Sequence, residues 1–354
     1  MGVMRFCKLC AFLWGAILVP HLAGASATGT YYGAVETVYP AWFKESFLDF
    51  AEDIAEAKQA GKRVMVLFHQ DGCPYCNALV ERNLSQRDIE RTLREHFDVV
   101  ALNLWGDREI KNVAGHTFSE KSFAQGLKVQ FTPTLLFFDE RGRVVLRLNG
   151  YLPPERFKLA LDYVAGRKEA QTTYQQYLAA HTTQAAGEDM HQEDFFQPPP
   201  YDLTRNREAA RPLAVFFEQR DCPDCDILHT KVLPDKATRD VIRQFDNVQL
   251  DMWSNTPVTT PDGTATTARE WAQELKIQYA PTIVLFDETG KEVIRSEAAL
   301  RVFHVQGLFD YVLSGSYETE PEFQRYLSAR AEHFIERGED IDIYRYADQA
   351  PGER

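Results

Sequence analysis

The chain has 354 residues, of which 44% are hydrophobic, 26% charged and 12% aromatic, the composition of a soluble globular protein. This length allows two or three domains, each large enough to bury a core of its own. The formal net charge of −13 argues against nucleic acid and against anionic membrane surfaces as partners.

The first segment, residues 1–27, predicts a secretory signal peptide. Two basic residues in the first eight positions precede an apolar run at 9–19 and two overlapping small-x-small sites. We expect cleavage after Ala25 or Ala27, and therefore export to the periplasm. An N-terminal membrane anchor is the alternative. The apolar run is short for a bilayer span, so no stable membrane insertion is expected after cleavage.

Residues 28–181 predict a first domain in which helices and strands alternate. The predicted order is a helix at 44–60, a strand at 64–68, a helix opened by Pro74, a helix capped by Ser85, a strand at 99–104, a helix ending near 129, strands at 134–138 and 143–148, and a last helix opened by Pro153 and Pro154. Phe47, Phe50 and Ile54 have helical spacing, which places them on the inner face of the first helix.

A polar segment at 182–211 contains three consecutive prolines and predicts an extended linker. Residues 212–337 predict a second domain whose elements follow the order of the first. Residues 338–354 predict a charged tail.

The second domain repeats the first in sequence. Residues 123–145 and 271–293 align without a gap and share 12 of 23 positions, including the strings A-Q-x-L-K-x-Q-x-x-P-T and F-D-E-x-G. The repeat is about 150 residues long, the size of a domain, and therefore indicates a duplication rather than a solenoid.

Signal cleavage leaves four of the six cysteines, because Cys7 and Cys10 lie in the signal peptide. The remaining four form the motifs Cys73-Pro-Tyr-Cys76 and Cys222-Pro-Asp-Cys225, whose first cysteines are 149 positions apart. An exported chain of this size with only these cysteines is not a scaffold held together by disulfides.

Each motif follows an apolar run that predicts a buried strand, and each opens a helix, whose N-terminus stabilises a thiolate. Cysteines at i and i+3 are close enough to form a disulfide. We expect Cys73 and Cys222 to attack partner disulfides, and Cys76 and Cys225 to resolve the resulting mixed disulfides. The sequence contains no phosphate-binding loop and no H-E-x-x-H motif, so we expect neither a cofactor nor a metal.

Three other interpretations of the motifs remain open. A zinc site built from both pairs would need a spacing unlike that of zinc ribbons. A static structural disulfide would close a loop too short to constrain the unfolded chain much. One repeat could be active and the other a vestigial copy that binds partners, although both pairs are intact.

The order strand, C-P-x-C, helix, strand, helix, x-Pro-Thr and hairpin resembles the thioredoxin fold, twice, over nearly the whole mature chain. The chain is also similar to SoxW-type bacterial thioredoxin-related proteins in the segments 42–68, 105–108 and 131–134. The resemblance implies an α/β protein with two tandem thioredoxin-fold domains, each a central mixed sheet flanked by helices.

The resemblance further implies that Pro133 and Pro281 follow cis peptide bonds and face the cysteines. A cis bond there would leave the backbone of Thr132 or Ala280 free to pair with a substrate strand.

Two features of the sequence bear on the surroundings of these sites. Trp105 and Trp253 follow equivalent strands. The ordinary role of a tryptophan at such a position is to pack in the core. The more specific hypothesis is that each forms a wall of the substrate-binding surface. Leu67 and Phe216 stand where thioredoxins have a buried acid. Proton transfer to the resolving thiol must then use another group, such as His69 in the first domain, or water.

The family resemblance implies thiol–disulfide exchange with exported disulfide-bearing proteins, in the reductive direction, with electrons taken from a membrane thiol transporter. A disulfide isomerase or oxidase is the alternative enzyme. The alternative that is not an enzyme is a thioredoxin-like module that binds partners or acts as a chaperone.

The two motifs also differ in charge. Asp224 lies inside the second motif, with Asp221 and Asp226 on either side of it. Negative charge disfavours a thiolate and so weakens the reduced form. The sequence therefore predicts that Cys222–Cys225 is the more reducing pair.

Overall fold

The computed structural model describes residues 28–181, 190–205 and 211–353. The predicted signal peptide and part of the predicted linker lie outside these residues. Within the described ranges, no helix is long and apolar enough to cross a bilayer.

The first domain alternates strands and helices much as its sequence pattern predicts. Its elements are β1 (Tyr31–Tyr32), α1 (Phe50–Gln59), β2 (Arg63–His69), α2 (Pro74–Ala78), α3 (Arg87–His96), β3 (Phe97–Asn103), β4 (Glu109–Lys111), β5 (Thr117–Ser119), α4 (Glu120–Gly126), β6 (Thr134–Phe138), β7 (Val144–Asn149), α5 (Pro154–Ala165) and α6 (Tyr174–His181).

The second domain repeats this order from its central strand onward. Before it, in the predicted linker, lies β8 (Tyr201–Asp202). The elements of the domain are β9 (Leu213–Glu218), α7 (Pro223–Ile227), α8 (Lys236–Ile242), β10 (Asp246–Asp251), β11 (Pro257–Thr259), β12 (Ala265–Thr267), α9 (Ala268–Glu274), β13 (Thr282–Phe286), β14 (Glu292–Ser296), α10 (Val302–Leu313) and α11 (Phe323–Glu336), and β15 (Ile341–Asp342) follows in the predicted tail.

Each domain is built on a four-stranded mixed sheet. The strand order is β3-β2-β6-β7 in the first domain and β10-β9-β13-β14 in the second. Strand β2 runs parallel to β3 and antiparallel to β6, and β9 has the same relation to β10 and β13. This confirms the predicted α/β architecture of two mixed sheets flanked by helices. The central strand of each sheet leads directly to a cysteine motif.

The central strand β2 is buried on both of its faces. Met65 and Leu67 belong to a core shared with α3 and α5, whereas Val66 and Phe68 belong to a core shared with α1 and α4. All four side chains are at most 1% exposed. Burial on both faces explains why this strand reads as an unbroken apolar run rather than an alternating one.

The first helix starts later than the sequence pattern predicts. Helix α1 begins at Phe50, after Asp49 accepts hydrogen bonds from the N–H groups of Ala51 and Glu52. Leu48 has a φ of +62°, a left-handed conformation that a helix cannot continue through. Phe47, predicted to face inward, is 99% exposed, because it precedes this break.

The segments outside the two sheets also pack against the domains. Strand β8, which lies within the polar segment predicted as a linker, pairs with β11. Strand β15 pairs in parallel with β1 at the start of the first domain. Further along, Ala347 N donates to the carbonyl of Lys231 at 2.7 Å. The C-terminal segment therefore contacts both domains.

Candidate active site: two cysteine pairs beside cis prolines

Each cysteine motif caps the helix that follows it. Cys73 is the N-cap of α2, Pro74 occupies its first turn, and the N–H of Cys76 donates to Cys73 Sγ at 3.0 Å. In the second domain the N–H of Cys225 donates to Cys222 Sγ at 3.1 Å. Both pairs form disulfides, with Cα atoms 5.3 and 5.1 Å apart. A backbone N–H aimed at the first sulfur favours a thiolate there once the pair is reduced.

Both helices widen just after the cysteines. Helix α2 passes into a π-helical turn at Leu79–Leu84, and α7 passes into one at Leu228–Val232. Such turns are frequent at functional sites, and the sequence pattern did not predict them. Ser85, predicted to cap the next helix, instead ends the first π turn with its hydroxyl donating to the carbonyl of Glu81, and α3 begins at Arg87.

A cis peptide bond lies beside each disulfide. The two bonds are Thr132–Pro133 and Ala280–Pro281. The carbonyl oxygen of Thr132 lies 3.6 Å from Cys73 Sγ, and that of Ala280 lies 3.5 Å from Cys222 Sγ. The structure therefore brings four of the six residues predicted for substrate binding, those of the two cis bonds, next to the two predicted nucleophiles.

The two sites differ in one hydroxyl group. Thr132 Oγ1 donates to Cys73 Sγ at 3.4 Å. The equivalent residue in the second domain, Ala280, has no side-chain donor. A donor to the first sulfur favours its charged form, so only the first thiolate gains this hydrogen bond.

The two predicted tryptophans line cavities, one at the first disulfide and one at the second cis bond. The ring N–H of Trp105 donates to Gln70 Oε1 at 3.1 Å, and that of Trp253 donates to Gln219 Oε1 at 2.9 Å. Both rings are half-buried. Trp105 lines the cavity beside the first disulfide, and Trp253 lines one beside the second cis bond. The two glutamines were missed from the sequence, although glutamine occupies the same position in both repeats.

The position of the thioredoxin family's buried acid is apolar in both domains, since Leu67 and Phe216 are fully buried. His69, at the end of β2, is half-buried and packs against the ring of Tyr39, with centroids 4.6 Å apart. Burial lowers the pKa of His69. Burial therefore favours the neutral form of this histidine.

The second domain holds a buried charged cluster near its cysteines. Glu218, the repeat equivalent of His69, is 1% exposed and lies 3.0 Å from Nε2 of His229. Glu193 lies 3.0 Å from the other ring nitrogen. Burial alone would lower the pKa of His229, but the two carboxylates raise it above its ordinary value. His229 follows Cys225 by four residues on the same helical segment, about one turn away.

The middle residues of the two motifs make different contacts. Asp224 accepts a hydrogen bond from the Tyr279 hydroxyl at 2.6 Å within its own domain, and burial raises the pKa of Asp224. Tyr75 instead crosses to the other domain, where its hydroxyl accepts a hydrogen bond from the N–H of Arg301 at 3.0 Å.

The described residues give no support to a zinc site. Across 28–181, 190–205 and 211–353, no group of three or more His, Cys, Asp or Glu side chains is arranged to hold a metal ion. The four cysteines are paired within their own motifs, in separate domains.

Comparison with known families defines the class of protein. A family model described as a thioredoxin-like domain matches residues 50–165 and residues 199–313. The two matches together cover more than half of the chain. The chain belongs to the thioredoxin-like domain family.

The individual proteins to which the chain is similar have low sequence identity to it. The thiol:disulfide interchange protein DsbD of Photorhabdus laumondii is 27% identical over 105 residues, which are 29% of this chain and 16% of that protein. A thioredoxin-fold protein from Helicobacter pylori is 21% identical, with a TM-score of 0.31 over 39% of this chain and 92% of that one. A thioredoxin from Thermus thermophilus is 26% identical, with a TM-score of 0.27 over 39% and 87%.

Proposed function

We propose that this protein is an exported thiol–disulfide oxidoreductase that reduces disulfides in other exported proteins. The observation that carries the proposal is the doubled site geometry, in which a cysteine pair at a helix N-terminus lies beside a cis-proline segment in each domain. Membership of the thioredoxin-like family and similarity to a thiol:disulfide interchange protein support exchange as the chemistry.

The reaction uses the two cysteines of a site in turn. The thiolate of Cys73 or Cys222 attacks a sulfur of the substrate disulfide, and the other substrate sulfur leaves as a thiolate. Cys76 or Cys225 then attacks the mixed disulfide and releases the second substrate thiol. The site ends as a disulfide and must be reduced again by a donor thiol.

The cis-proline segment is the proposed docking place for the substrate chain. An extended substrate would pair with the backbone at Thr132 or Ala280, beside Pro133 or Pro281. The half-buried Trp105 and Trp253 would form one wall of each site, held by the glutamines that accept from their ring N–H groups.

We infer the source of electrons from the family resemblance and the compartment from the predicted signal peptide. SoxW-type proteins, to which parts of the chain are similar, suggest a membrane thiol transporter as the donor. The predicted signal peptide suggests the periplasm as the compartment. The net charge of −13 favours protein partners over nucleic acid.

A reductase assay on the mature chain tests the proposal. The chain would be supplied with dithiothreitol and a disulfide-bonded protein such as insulin. We expect Cys73→Ser and Cys222→Ser each to remove part of the activity, and the double variant to fall to the uncatalysed rate. A double variant as active as the parent would overturn the proposal and favour a non-catalytic binding module.

Refolding of a scrambled disulfide protein separates reduction from isomerisation. A reductase is expected to release free thiols without restoring the native pairing. Recovery of native activity that depends on Cys73 or Cys222 would instead identify an isomerase.

A further inference from the structure

The surfaces that carry the two disulfides pack against each other. Gly150 follows β7 with a φ of +80°, and a Cβ placed there would lie 2.3 Å from the Cβ of Ala298. Next to this contact, Asn149 Nδ2 donates to Glu297 Oε2 at 2.7 Å across 148 positions. Both pairs join repeat-equivalent residues. Contact between equivalent residues defines a two-fold interface, so a local two-fold axis passes close to this point.

In the first domain this contact lies next to the nucleophile. The N–H of Gly150 donates to the carbonyl of Pro133 at 2.7 Å. The neighbouring carbonyl, that of Thr132, lies 3.6 Å from Cys73 Sγ. At this point of the interface, the cis-proline segment lies between the first nucleophile and the second domain.

The second domain has the same arrangement. Ala298 and Pro281 line a small cavity together with Asp224, which lies inside the second cysteine motif. The carbonyl of Ala280 lies 3.5 Å from Cys222 Sγ. The two nucleophiles are thus placed on either side of one axis, each behind its own cis-proline segment.

The second domain closes over the first disulfide. Cys73 is 2% exposed and lines a cavity of about 190 Å³ whose walls include Leu300 and His304 of the second domain. Tyr75 reaches across this cavity to the N–H of Arg301. The surface that faces Cys73 therefore belongs to the second domain.

The first domain covers the second redox surface in the same way. Trp253 and Ala280 line a cavity together with Asn149 and Leu152 of the first domain. Cys222 is 6% exposed. Each domain thus occupies the surface on which the other would bind a substrate.

We propose that the two domains are redox partners of each other, and that the second domain reduces the disulfide of the first by direct exchange. The inference rests on the proposed function and names the partner that occupies each site. If one domain only shielded the disulfide of the other, a single redox surface in the interface would be enough. Here both contribute equivalent residues, and both cysteine pairs are intact.

The exchange conserves atoms and electrons. With the second pair reduced, the Cys222 thiolate attacks Cys73 Sγ, which forms a Cys222–Cys73 bond and breaks the Cys73–Cys76 bond. Cys76 leaves as a thiolate and takes up a proton. Deprotonated Cys225 then attacks Cys222 Sγ and releases the Cys73 thiolate. Two electrons pass from the second pair to the first, and the proton that Cys225 loses balances the proton that Cys76 takes up.

The direction of transfer follows from the contacts of the two sulfurs. Thr132 donates a hydrogen bond to Cys73, so the reduced form of the first pair is favoured. Ala280 offers no such donor to Cys222, and the Asp224 carboxyl lies within that motif. Electrons should therefore pass from the second domain to the first.

A trapping experiment tests the exchange. The mature chain with Cys76→Ser and Cys225→Ser keeps only Cys73 and Cys222. Oxidised glutathione, added at low protein concentration, would form a mixed disulfide with one of the two cysteines. The thiol of the other cysteine should then attack that mixed disulfide and release glutathione. We expect most of the protein to become a monomer with an internal Cys73–Cys222 disulfide, identified by mass spectrometry of non-reduced peptides.

A matched variant supplies the control. The chain with Cys73→Ser and Cys225→Ser keeps the buried Cys76 in place of the nucleophile. We expect it to retain glutathione and to form the internal bond at least tenfold more slowly. Equal yields of internal disulfide in the two variants, or stable glutathione on both cysteines of the first, would overturn the proposal.

The reductase assay distinguishes a failure of the interdomain exchange from a failure of the proposed reductase function. Chains with a single site, made by changing Cys73 and Cys76 or Cys222 and Cys225 to serine, report each domain alone. Active single-site chains without the internal bond would overturn the exchange and leave the reductase function standing. The internal bond together with a two-site parent chain that fails to reduce insulin would support the exchange and overturn the reductase function.

Discussion

At the residue scale, the two sites differ in what surrounds the first sulfur of each pair. The Thr132 hydroxyl reaches Cys73 at 3.4 Å, whereas Ala280 has no donor to offer Cys222. Asp224 adds a carboxyl group to the second motif, where the Tyr279 hydroxyl donates to it. Both differences favour a thiolate in the first domain and so agree in direction with the redox order predicted from the sequence.

Exchanging the side chains of Thr132 and Ala280 should bring the potentials of the two pairs closer together. Thr132→Ala removes a hydrogen bond to the Cys73 thiolate and should lower the potential of that pair by about 10–30 mV, given about 0.5–1.5 kcal/mol for one hydrogen bond. Ala280→Thr should raise the potential of the other pair. Titration of single-site chains against glutathione measures both changes. A second pair with the higher potential in the parent protein would contradict the predicted order.

A second prediction concerns the buried ion pairs of His229. Its pKa is raised in the folded protein, so folding favours the protonated ring. This stability is fully present below the pKa of the unfolded residue, about 6.5, and is lost as pH rises through the higher folded value. The free energy of unfolding should therefore fall above about pH 6.5.

Denaturant unfolding at several pH values, followed by tryptophan fluorescence, tests this dependence. His229→Gln should remove that part of the pH dependence and destabilise the domain by about 3–5 kcal/mol, because buried Glu218 loses its ion-pair partner and is left with the hydrogen bond that Gln249 Nε2 donates. His116 is exposed, so His116→Gln is the control variant, and its stability should depend on pH as that of the parent does. Parallel profiles for His229→Gln and the parent would show that this ion pair does not cause the pH dependence of stability.

At the scale of elements, helix α1 shows where a periodic pattern stops being informative. Phe47 and Phe50 both fit the apolar face of a helix. Only Phe50 is buried, at 1% exposure, because the chain turns at Leu48 and the helix starts after Asp49. A hydrophobic pattern does not contain the sign of φ at one residue, so the boundary could not be predicted from spacing.

The difference between the two phenylalanines can be measured. Phe50→Ala should cost about 3–5 kcal/mol of unfolding free energy, because it leaves a cavity among packed rings. Phe47→Ala should change it by less than about 0.5 kcal/mol, since the side chain is exposed. Urea denaturation of the two variants compares them directly. Similar losses for both would mean that the helix begins earlier in solution.

At the scale of the whole molecule, the C-terminal segment helps to close the first site. Strand β15 pairs with β1, and Ile343 lines the cavity that contains Cys73. Tyr344 packs edge-on against Tyr75, with ring centroids 5.3 Å apart. The charged tail predicted from the sequence therefore carries apolar residues that reach the redox site.

Removing this segment should open the first site. In the reduced protein, deletion of residues 341–354 should raise the rate at which iodoacetamide labels Cys73, relative to Cys222, by severalfold. Asp348→Ala removes only an exposed ion pair with Lys231 and should leave the ratio unchanged. Peptide mass spectrometry measures both rates. An unchanged ratio after the deletion would show that the segment does not restrict access.

Much of the fold could be predicted from the sequence because it depends on local patterns that occur twice. The continuous apolar strands, the C-P-x-C motifs and the x-Pro-Thr strings fix the order of elements in each domain. They also bring the cysteines and the cis-proline segments to the same edge of each sheet. Glu218 and His229 were missed, because their pairing joins a strand to a helix at no fixed spacing.

The duplicated cysteine motifs, their strands and their helices were thus determined by the sequence alone, since each depends on residues close together in the chain. The mutual covering of the two redox surfaces was decided only by the tertiary structure. It rests on contacts such as Asn149 with Glu297 and Tyr75 with Arg301, which join residues 148 and 226 positions apart. Such contacts depend on the complementary shape of two folded surfaces, which neither hydrophobic periodicity nor motif spacing contains.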